Sequence, residues 1–552
     1  MRETSYCFIN DIRIQDAFQL KELVQIYNYP APDTSISPVV FVVSLGGGLY
    51  GASYTSDGLL IADGKNDIHK TWKNQGIHPS NYPAVYVVNN LKPGSHPVAA
   101  NNLDTSATLE NTLDVATIGA CCPNPNLTIV LCVFDDTYST IRAIETALEG
   151  TIIGGKLYKP SVISISWGGA ETRDAAPSAT ELAELNRINS ILRQAVIDGI
   201  QVCAASGDGG STLNVEKNVL EVLFPASSPY VTAVGGTTLT CPSNNYSDST
   251  TREVVWNNQK VGEMFRASGG GSSKVFLKPQ YQQNLPGTYR QVPDIAMCAD
   301  PGVVIVYQGQ LTVVGGTSLA TPLYAALLAC LKNPTRIPQL TVSQATSYFN
   351  DITVGYNYNA NLYPDGIVHQ VTGSTTKQYV ATVGYDNCTG LGSIDGKALA
   401  TILSGFPRFL TTVTQYFVEP TNINNLPMNV TEVYTFIKAQ TTNIYLVRLI
   451  DVANALCLLG RTTSSNIINE ALSAQSFGEG LLYALVSLVS YINPLNPLTQ
   501  GALSIGGAIY LVVYTILNPP ATVINPTIGE PDTATDIGDP VDLQGMPEGP
   551  HQ

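Results

Sequence analysis

The sequence predicts an α/β protein in which a parallel β-sheet is covered by helices on both faces. Continuous Val- and Ile-rich runs occur at residues 39–45, 128–134, 161–167, 201–205, 230–234 and 303–307. Helical patterns separate several of them, most clearly at residues 139–148 and 179–198. Strands buried on both faces read as uninterrupted apolar runs, and their alternation with helices is typical of a parallel sheet. The sequence contains no repeat with a period of about 20–50 residues, so a solenoid is not predicted.

Ser318 lies in a sequence context that suits a nucleophile. Residues 313–316 read as a short strand and a glycine turn, and the next residues open a helix that continues to Ala329. A serine at a helix N-terminus meets unpaired backbone N–H groups and a dipole that favours negative charge. Its hydroxyl is inert until a base removes the proton. None of the five histidines stands in a His-Gly-Thr context, so we expect a different base.

Glu110 and Asp114 are candidates for that base. Apolar residues at helical spacing run through residues 109–120, so the two acids lie one turn apart on one helix face. In a dry site such a pair shares a proton, and one pKa rises strongly. On spacing alone, two solvated acids on a helix surface remain the simpler interpretation.

Asp208 is a third acid in a suggestive position. Residues 200–210 read as a buried strand that runs into a glycine-rich loop. Ligands of open α/β sheets gather at the carboxyl ends of strands. A carboxyl group kept protonated there can donate a hydrogen bond to an oxyanion. An Asx-turn with glycines explains the same residues without any catalytic role.

The chain resembles the sedolisins, a family of serine-carboxyl peptidases with a subtilisin-like fold. The resemblance extends from about Asp16 to Phe406 and includes the loops at residues 268–273 and 292–294. It is carried by three motifs that occur in the family's order: Glu110-x-x-x-Asp114, Ser206-Gly207-Asp208 and Gly316-Thr317-Ser318-x-x-x-Pro322.

The resemblance implies a role for each of these residues. Ser318 would be the nucleophile, Glu110 its general base and Asp114 the group that orients Glu110. Asp208 would be the acid of the oxyanion hole. The segment Ser166-Trp167-Gly168 looks like the family's substrate-binding strand. The implied activity is endoproteolysis of polypeptides through an acyl-enzyme, with an optimum below neutral pH because the carboxyl groups must hold protons.

The resemblance also implies a structural calcium ion. Two glycine-bearing loops, around residues 350–357 and 383–392, each carry an aspartate. Calcium takes about six or more oxygen ligands from carboxylates, backbone carbonyls and water. The implied ligands are the side chains of Asp351 and Asp386 and the carbonyls of Ile352, Thr382 and Gly384. Without the family, two Asx-turns explain these loops.

Composition limits the partners. Charged residues make up 13% of the chain, and 43 acidic residues against 28 basic ones give a net charge of −15. A nucleic-acid-binding surface needs clustered Lys and Arg, so the sequence argues against nucleic acid as a partner. A low density of charge also suits a protein that works in acid, although a polar Asn-, Thr- and Tyr-rich surface is an equal explanation.

The first residues set two further expectations. Residues 1–6 contain no apolar core of a signal peptide, so secretion is not indicated and the localisation stays open. Residues 16–23 already resemble the start of a mature sedolisin domain, whereas sedolisins are usually made with a long prosegment. Either a prosegment is missing, or pH alone keeps the chain silent.

Beyond residue 406 the resemblance stops, which predicts a peptidase domain at 1–406 and an added apolar domain at 407–524. The Pro-, Gly- and Asp-rich residues 525–552 are predicted to be disordered. Two apolar runs within 481–517 are each shorter than the roughly twenty residues that span a bilayer. They are read as buried helices, with a membrane hairpin or self-association as the alternatives. A catalytically silent structural or binding protein on a peptidase scaffold is the alternative for the whole chain.

Overall fold

The structure is a computed structural model of the 552-residue chain. It describes residues 4–5, 8–9, 13–92, 105–135, 138–172, 178–212, 219–259, 264–282, 284–331, 348–369 and 375–405. Residues up to Ala400 form one compact unit. The predictions made for 407–524, for 481–517 and for 525–552 lie outside the described residues.

Seven α-helices are described, and most carry a recognisable start signal. Ser139 and Ser178 each accept a hydrogen bond from the backbone N–H three residues on, which satisfies a donor that the helix leaves unpaired. In chain order the helices are α1 (Leu20–Ile26), α2 (Asp67–Asn74), α3 (Thr105–Cys121), α4 (Thr140–Glu149), α5 (Ala179–Ile197), α6 (Thr317–Cys330) and α7 (Gly396–Gly405).

The strands of the first half are β1 (Thr4–Ser5), β2 (Phe8–Ile9), β3 (Val39–Ser44), β4 (Ala84–Asn89), β5 (Thr128–Val133), β6 (Thr151–Ile153), β7 (Lys156–Tyr158), β8 (Val162–Ile165), β9 (Trp167–Ala170), β10 (Gln201–Ala205), β11 (Leu223–Phe224) and β12 (Thr232–Thr240). Those of the second half are β13 (Arg252–Val255), β14 (Asn257–Asn258), β15 (Arg266–Ala267), β16 (Gly271–Leu277), β17 (Tyr289–Val292), β18 (Ile295–Asp300), β19 (Val303–Tyr307), β20 (Gln310–Gly315), β21 (Phe349–Asn350), β22 (Ile367–His369), β23 (Thr375–Lys377) and β24 (Ser393–Ile394).

The central sheet has the strand order β13-β12-β10-β8-β3-β5-β4, and β18 also pairs with β12. Every pairing in it is parallel except that of β13 with β12. This confirms the predicted α/β class with a mainly parallel, subtilisin-like sheet.

Helices cover both faces of this sheet, as predicted. Successive side chains of a strand point to opposite faces, and all of Val40 to Val43 are buried. Phe41 and Val43 join a core cluster with residues of α4 and α5. Helices α3 and α6 pack against the sheet and directly against each other. The α3–α6 contact places the acid-bearing helix beside the helix that begins near Ser318.

Two strand predictions need correction. Residues 303–307 form a strand, β19, but it pairs antiparallel with β20 and lies outside the central sheet. An apolar run indicates that a strand is buried, but it does not indicate which neighbouring strand supplies the hydrogen bonds. Residues 161–167 divide into β8 and β9, because the chain leaves the central sheet at Ser166 and pairs elsewhere. Strands β4 and β18 were not predicted, since β4 is only half-buried at alternate positions and β18 is rich in small residues.

The first described residues form two short strands that pair with strands of this compact unit. β1 pairs antiparallel with β9, with Thr4 opposite Gly168 and Ser5 opposite Trp167. β2 pairs antiparallel with β20, with Phe8 opposite Gly315. Within the described ranges, no helix is both long and apolar enough to cross a bilayer.

A buried ion pair anchors the start of β18. The Nη2 atom of Arg290 lies 2.5 Å from the Oδ2 atom of Asp294, and both side chains are almost wholly inaccessible. The same Asp294 oxygen accepts the N–H of Ala233 at 2.8 Å, which ties β18 to β12.

Replacing Asp294 by alanine should destabilise the fold strongly, because the Arg290 guanidinium would remain buried without its counter-ion. We expect the free energy of unfolding to fall by about 3–5 kcal/mol, measured by urea denaturation. Asp16→Ala is the matched control, since it breaks the solvent-exposed pair with Arg13 and should cost at most about 1 kcal/mol. Equal losses in the two variants would contradict this account.

Candidate active site

Glu110 and Asp114 lie in the middle of α3, and both are fully buried. The solvated-acid interpretation of the pair is therefore wrong. The Ser166 hydroxyl donates a hydrogen bond to Oδ1 of Asp114 at 2.9 Å. Burial raises the pKa of Asp114 well above its usual value, and the nearby charge of Glu110 raises this pKa further. A carboxyl pair in this setting holds a proton at a pH where solvated acids have lost theirs.

Close packing fixes α3 in its position. The Trp72 indole N–H donates to the Ala116 carbonyl at 2.9 Å. A Cβ atom added to Gly119 would lie 2.1 Å from the Trp72 ring, so only glycine allows this approach. Between the two acids, the Asn111 amide donates to the Gly46 carbonyl at 3.1 Å. The helix is thus held on both sides of Asp114.

Asp208 lies three residues beyond the end of β10 and is buried. Its Oδ1 atom accepts two hydrogen bonds from Thr317, one from the backbone N–H at 2.9 Å and one from the hydroxyl at 2.7 Å. Burial raises the pKa of Asp208 to about 7, although the Thr317 hydrogen bonds and the charge of Arg266 act in the opposite direction. Its Oδ2 atom is buried and has no hydrogen-bond partner among the described residues.

The loop that carries Asp208 is supported by the glycine-rich segment near residue 269. The Gly269 N–H donates to the Gly207 carbonyl at 2.7 Å. A Cβ atom on Gly269 would lie 2.1 Å from the Ser206 carbonyl oxygen. The Ala267 N–H donates to the Asp208 carbonyl at 2.8 Å. These backbone contacts hold the acid at the carboxyl end of β10.

Ser318 is the second residue of α6 and is fully buried. Gly316 caps the helix with a φ of 102°, in the left-handed region that favours glycine. The Ser318 hydroxyl makes no hydrogen bond to any residue that the structure describes. Pro322 follows four residues later and has no N–H, so it cannot donate the usual helical hydrogen bond to the Ser318 carbonyl.

The Asp208–Thr317 hydrogen bonds and the packing of α3 on α6 place the four acidic and nucleophilic residues in one part of the fold. The Asp208–Thr317 hydrogen bonds fix Asp208 at the N-terminus of α6, next to Ser318. The packing of α3 on α6 brings the helix of Glu110 and Asp114 to the same region. The resulting cluster lies where β8 and β10 end, the edge at which parallel sheets bind ligands.

The predicted substrate-binding residues lie beside this cluster. Trp167 and Gly168 open β9, the central strand of a three-stranded sheet with β1 and β11. A Cβ atom on Gly168 would lie 2.8 Å from the Phe224 carbonyl oxygen, so the neighbouring strand approaches too closely for any side chain. Ser166 is fully buried, and its hydroxyl is engaged by Asp114. Any contact of Ser166 with a polypeptide would therefore use its backbone.

Sequence reasoning missed two roles at this site. Thr317 was recognised only as part of a motif, yet it makes both hydrogen bonds to Asp208. Ser166 was assigned to substrate binding, yet its hydroxyl bonds the acid pair. No local pattern linked Ser166 to an acid 52 residues away.

Four of the five predicted calcium ligands are joined in two pairs by hydrogen bonds. The Gly384 N–H donates to Oδ2 of Asp351 at 2.8 Å, and the Thr382 N–H donates to Oδ2 of Asp386 at 3.0 Å. Oδ1 of Asp386 accepts the N–H groups of its own loop. The donor set is all oxygen, which suits calcium. It contains only two carboxylates, and no cluster of three or more His, Cys, Asp or Glu occurs in the part of the chain described.

Sequence comparisons identify the relatives of this chain. The subtilase family model matches residues 98–363. Kumamolisin of Bacillus sp. (strain MN-32) is 37% identical over 297 residues, which cover 51% of this chain and 48% of kumamolisin. Sedolisin of Pseudomonas sp. (strain 101) is 34% identical over 250 residues, covering 42% of this chain and 39% of that protein. Human tripeptidyl-peptidase 1 is 32% identical over 191 residues, 31% of this chain and 30% of its own length.

A comparison of structures agrees on the fold. Pseudomonas sedolisin, solved with two molecules of pseudo-iodotyrostatin, matches with a TM-score of 0.53 and 24% identity. The match covers 70% of this chain and 98% of that structure. The chain spans about half the length or less of the curated relatives it matches.

The raised pKa of Asp208 predicts a pH-dependent stability. The unfolded carboxyl has a pKa of about 4, and the folded one of about 7, so folding retains a proton between these values. The contribution of this proton to the free energy of unfolding is complete below about pH 4 and is lost as the pH rises through about 7.

We therefore expect the free energy of unfolding of Ser318→Ala, used to prevent proteolysis, to fall as the pH rises from 4 to 7. The slope should approach about 1.4 kcal/mol per pH unit for one proton. Adding Asp208→Asn should reduce the slope, and the remainder should come from Asp114. Urea denaturation at each pH measures this. Superimposable slopes with and without Asp208 would contradict the assignment.

Proposed function

We propose that the chain is a serine-carboxyl endopeptidase of the sedolisin family, most active in acid, that hydrolyses polypeptides through an acyl-enzyme. The observation that carries the proposal is the set of buried carboxyl groups, two on α3, which packs against α6, and one bonded to the N-terminus of α6. Burial raises the pKa of Asp114 and of Asp208 above the values of ordinary acids. In this scheme a carboxylate, that of Glu110, removes the serine proton in place of a histidine.

In the proposed first step, Glu110 accepts the proton of the Ser318 hydroxyl as the oxygen attacks the substrate carbonyl carbon. Asp114 orients Glu110 and is itself held by the Ser166 hydroxyl. Glu110 and Asp114 are both shielded from water. A proton that binds to one of them therefore reduces the charge repulsion between the two carboxylates. This pairing supports Glu110 as a base that can later return the proton.

Asp208 stabilises the tetrahedral intermediate in this scheme. Thr317 engages Oδ1, so a proton on Oδ2 would leave an O–H group available to donate to the oxyanion. The Ser318 N–H at the opening of α6 is the second donor. When the intermediate collapses, Glu110 protonates the leaving amine and the acyl-enzyme forms. Water then repeats the sequence and releases the acid product.

The alternative function is a catalytically silent structural or binding protein on the same scaffold. It predicts no turnover in either the wild type or a variant without the serine hydroxyl. A membrane role through residues 481–517 rests on a region outside the described residues.

Removing the nucleophile distinguishes these functions. We expect Ser318→Ala to lower kcat by at least about 10⁴-fold and Glu110→Gln to lower it by about 10²–10⁴-fold, measured on a denatured protein substrate at acidic pH. Glu149→Gln, at the exposed end of α4, is the matched control and should change kcat less than twofold. Absent turnover in wild type and variants alike would favour the silent scaffold.

The proposed role of Asp208 predicts the alkaline limb of the pH profile. The neutral acid donates the hydrogen bond, so kcat/KM should fall as the pH rises through about 7, the pKa of this group. In Asp208→Asn the side-chain amide donates at every pH, although with a weaker fit. Its kcat/KM should be lower in acid, and the limb near pH 7 should disappear or move. A limb at the same pH in both proteins would exclude Asp208 as its source.

We further propose that the oxygens of Asp351, Asp386, Ile352, Thr382 and Gly384 hold one structural calcium ion. Calcium should raise the melting temperature of the wild type relative to EGTA, because a ligand that binds only the folded state stabilises it. Asp351→Asn keeps an oxygen that can accept the Gly384 N–H but loses the charge, and it should lose most of the shift in calorimetry. Magnesium is the control ion. An equal calcium shift in wild type and variant would remove the proposal.

A further inference from the structure

Three buried thiols lie at the C-terminal ends of the two helices that carry the proposed base and nucleophile. Helix α3 ends at Cys121, with Cys122 directly after it, and α6 ends at Cys330. All three side chains are buried, and all three are free thiols. A buried cysteine usually behaves as a small apolar side chain, so burial alone indicates no function for them.

The thiols of Cys122 and Cys330 are in direct contact. The Cys122 thiol is hydrogen-bonded to that of Cys330, and the Cys330 thiol donates to the Cys121 carbonyl at 3.8 Å. The Cys121 thiol instead donates to the Leu20 carbonyl of α1 at 4.0 Å. A disulfide holds its two sulfur atoms about 2 Å apart, so the pair already in contact needs only a small displacement to form one.

This thiol pair lies at a matched distance from the proposed chemistry. Twelve residues separate Glu110 from Cys122, and twelve separate Ser318 from Cys330. The Cys122 N–H donates to the Ile118 carbonyl at 3.0 Å, so the helical hydrogen-bond pattern of α3 continues to it. At a rise of about 1.5 Å per residue, each helix extends about 18 Å between its thiol and its proposed base or nucleophile. A link between the thiols would therefore fix the two packed helices against each other.

From these contacts we propose that Cys122 and Cys330 form an intramolecular disulfide when the chain meets a low-molecular-weight disulfide such as oxidised glutathione, and that this bond braces α3 against α6. One cysteine thiolate attacks the oxidant, forms a mixed disulfide and releases one glutathione. The other cysteine thiolate then attacks the protein sulfur of the mixed disulfide and releases the second glutathione. The two glutathione thiols take up the two protons and two electrons that the protein loses.

Burial controls how fast this bond forms. The attacking species is the thiolate, and the hydrogen bond with Cys330 raises the pKa of Cys122, which burial raises further. We therefore expect slow oxidation of the folded chain in acid and faster oxidation at about pH 8, where more thiolate forms. Once formed, the bond closes a loop of about 200 residues, a length for which the chain-entropy model predicts strong stabilisation.

Peptide mapping tests for the bond without any need for activity. The full chain with Ser318→Ala, which prevents self-cleavage, is incubated with oxidised glutathione at about pH 8. A parallel incubation in urea below the unfolding transition gives the oxidant access to buried thiols through local opening. After digestion without reductant, mass spectrometry should show a peptide pair that joins Cys330 to the segment 121–122 and separates with dithiothreitol. Absence of this cross-link under both conditions would overturn the inference.

The two adjacent cysteines provide matched variants, because both are buried at the end of α3. Cys122→Ser should abolish the cross-link, whereas Cys121→Ser should keep it. By calorimetry, oxidation should raise the melting temperature of Cys121→Ser by at least about 4 °C and that of Cys122→Ser by less than about 1 °C. A cross-link that survives Cys122→Ser, or an equal shift in the two variants, would contradict the assignment.

The consequence for activity rests on the proposed peptidase function. With the Ser318 hydroxyl present, oxidation should change the initial kcat less than about twofold and should lengthen the half-life of proteolytic activity on heating at least roughly threefold, because the braced helices separate more slowly. A cross-linked chain with an unchanged half-life would overturn the bracing role. A chain with no turnover contradicts the peptidase function and leaves the cross-link and the melting temperature to decide this inference.

Discussion

The proposed chemistry depends on carboxyl groups that are buried deeply enough to keep their protons. Asp208 shows the balance most clearly, because desolvation raises its pKa while two hydrogen bonds from Thr317 favour its charged form. The outcome is a pKa near neutrality. Weaker burial would leave a carboxylate that repels an oxyanion. Removing the Thr317 bonds would free the side chain from the helix N-terminus that positions it.

The rest of the compact unit maintains this burial. Helix α3 packs on α6, and Glu110, Asp114 and Ser318 are all fully buried. Glycines permit the close approaches of the neighbouring elements. Gly119 lets the Trp72 ring reach α3, and Gly269 lets its loop reach the backbone of Ser206. Any side chain at either position would force these elements apart and admit water. Glycine at these two positions therefore supports the raised pKa of the acids, because it lets the elements pack closely and keeps water away.

The sequence predicted the elements of the fold better than their partners. The strand at Gln201–Ala205 has the predicted bounds, and residues 303–307 form a strand as predicted but in an antiparallel hairpin. An apolar pattern indicates which residues are buried and whether they recur with a helical or a strand period, and both are local properties of the sequence. The Asp208–Thr317 bond joins residues 109 positions apart, so no local pattern could indicate it. The two-residue strands β1 and β2 are too short to carry a periodic signal at all.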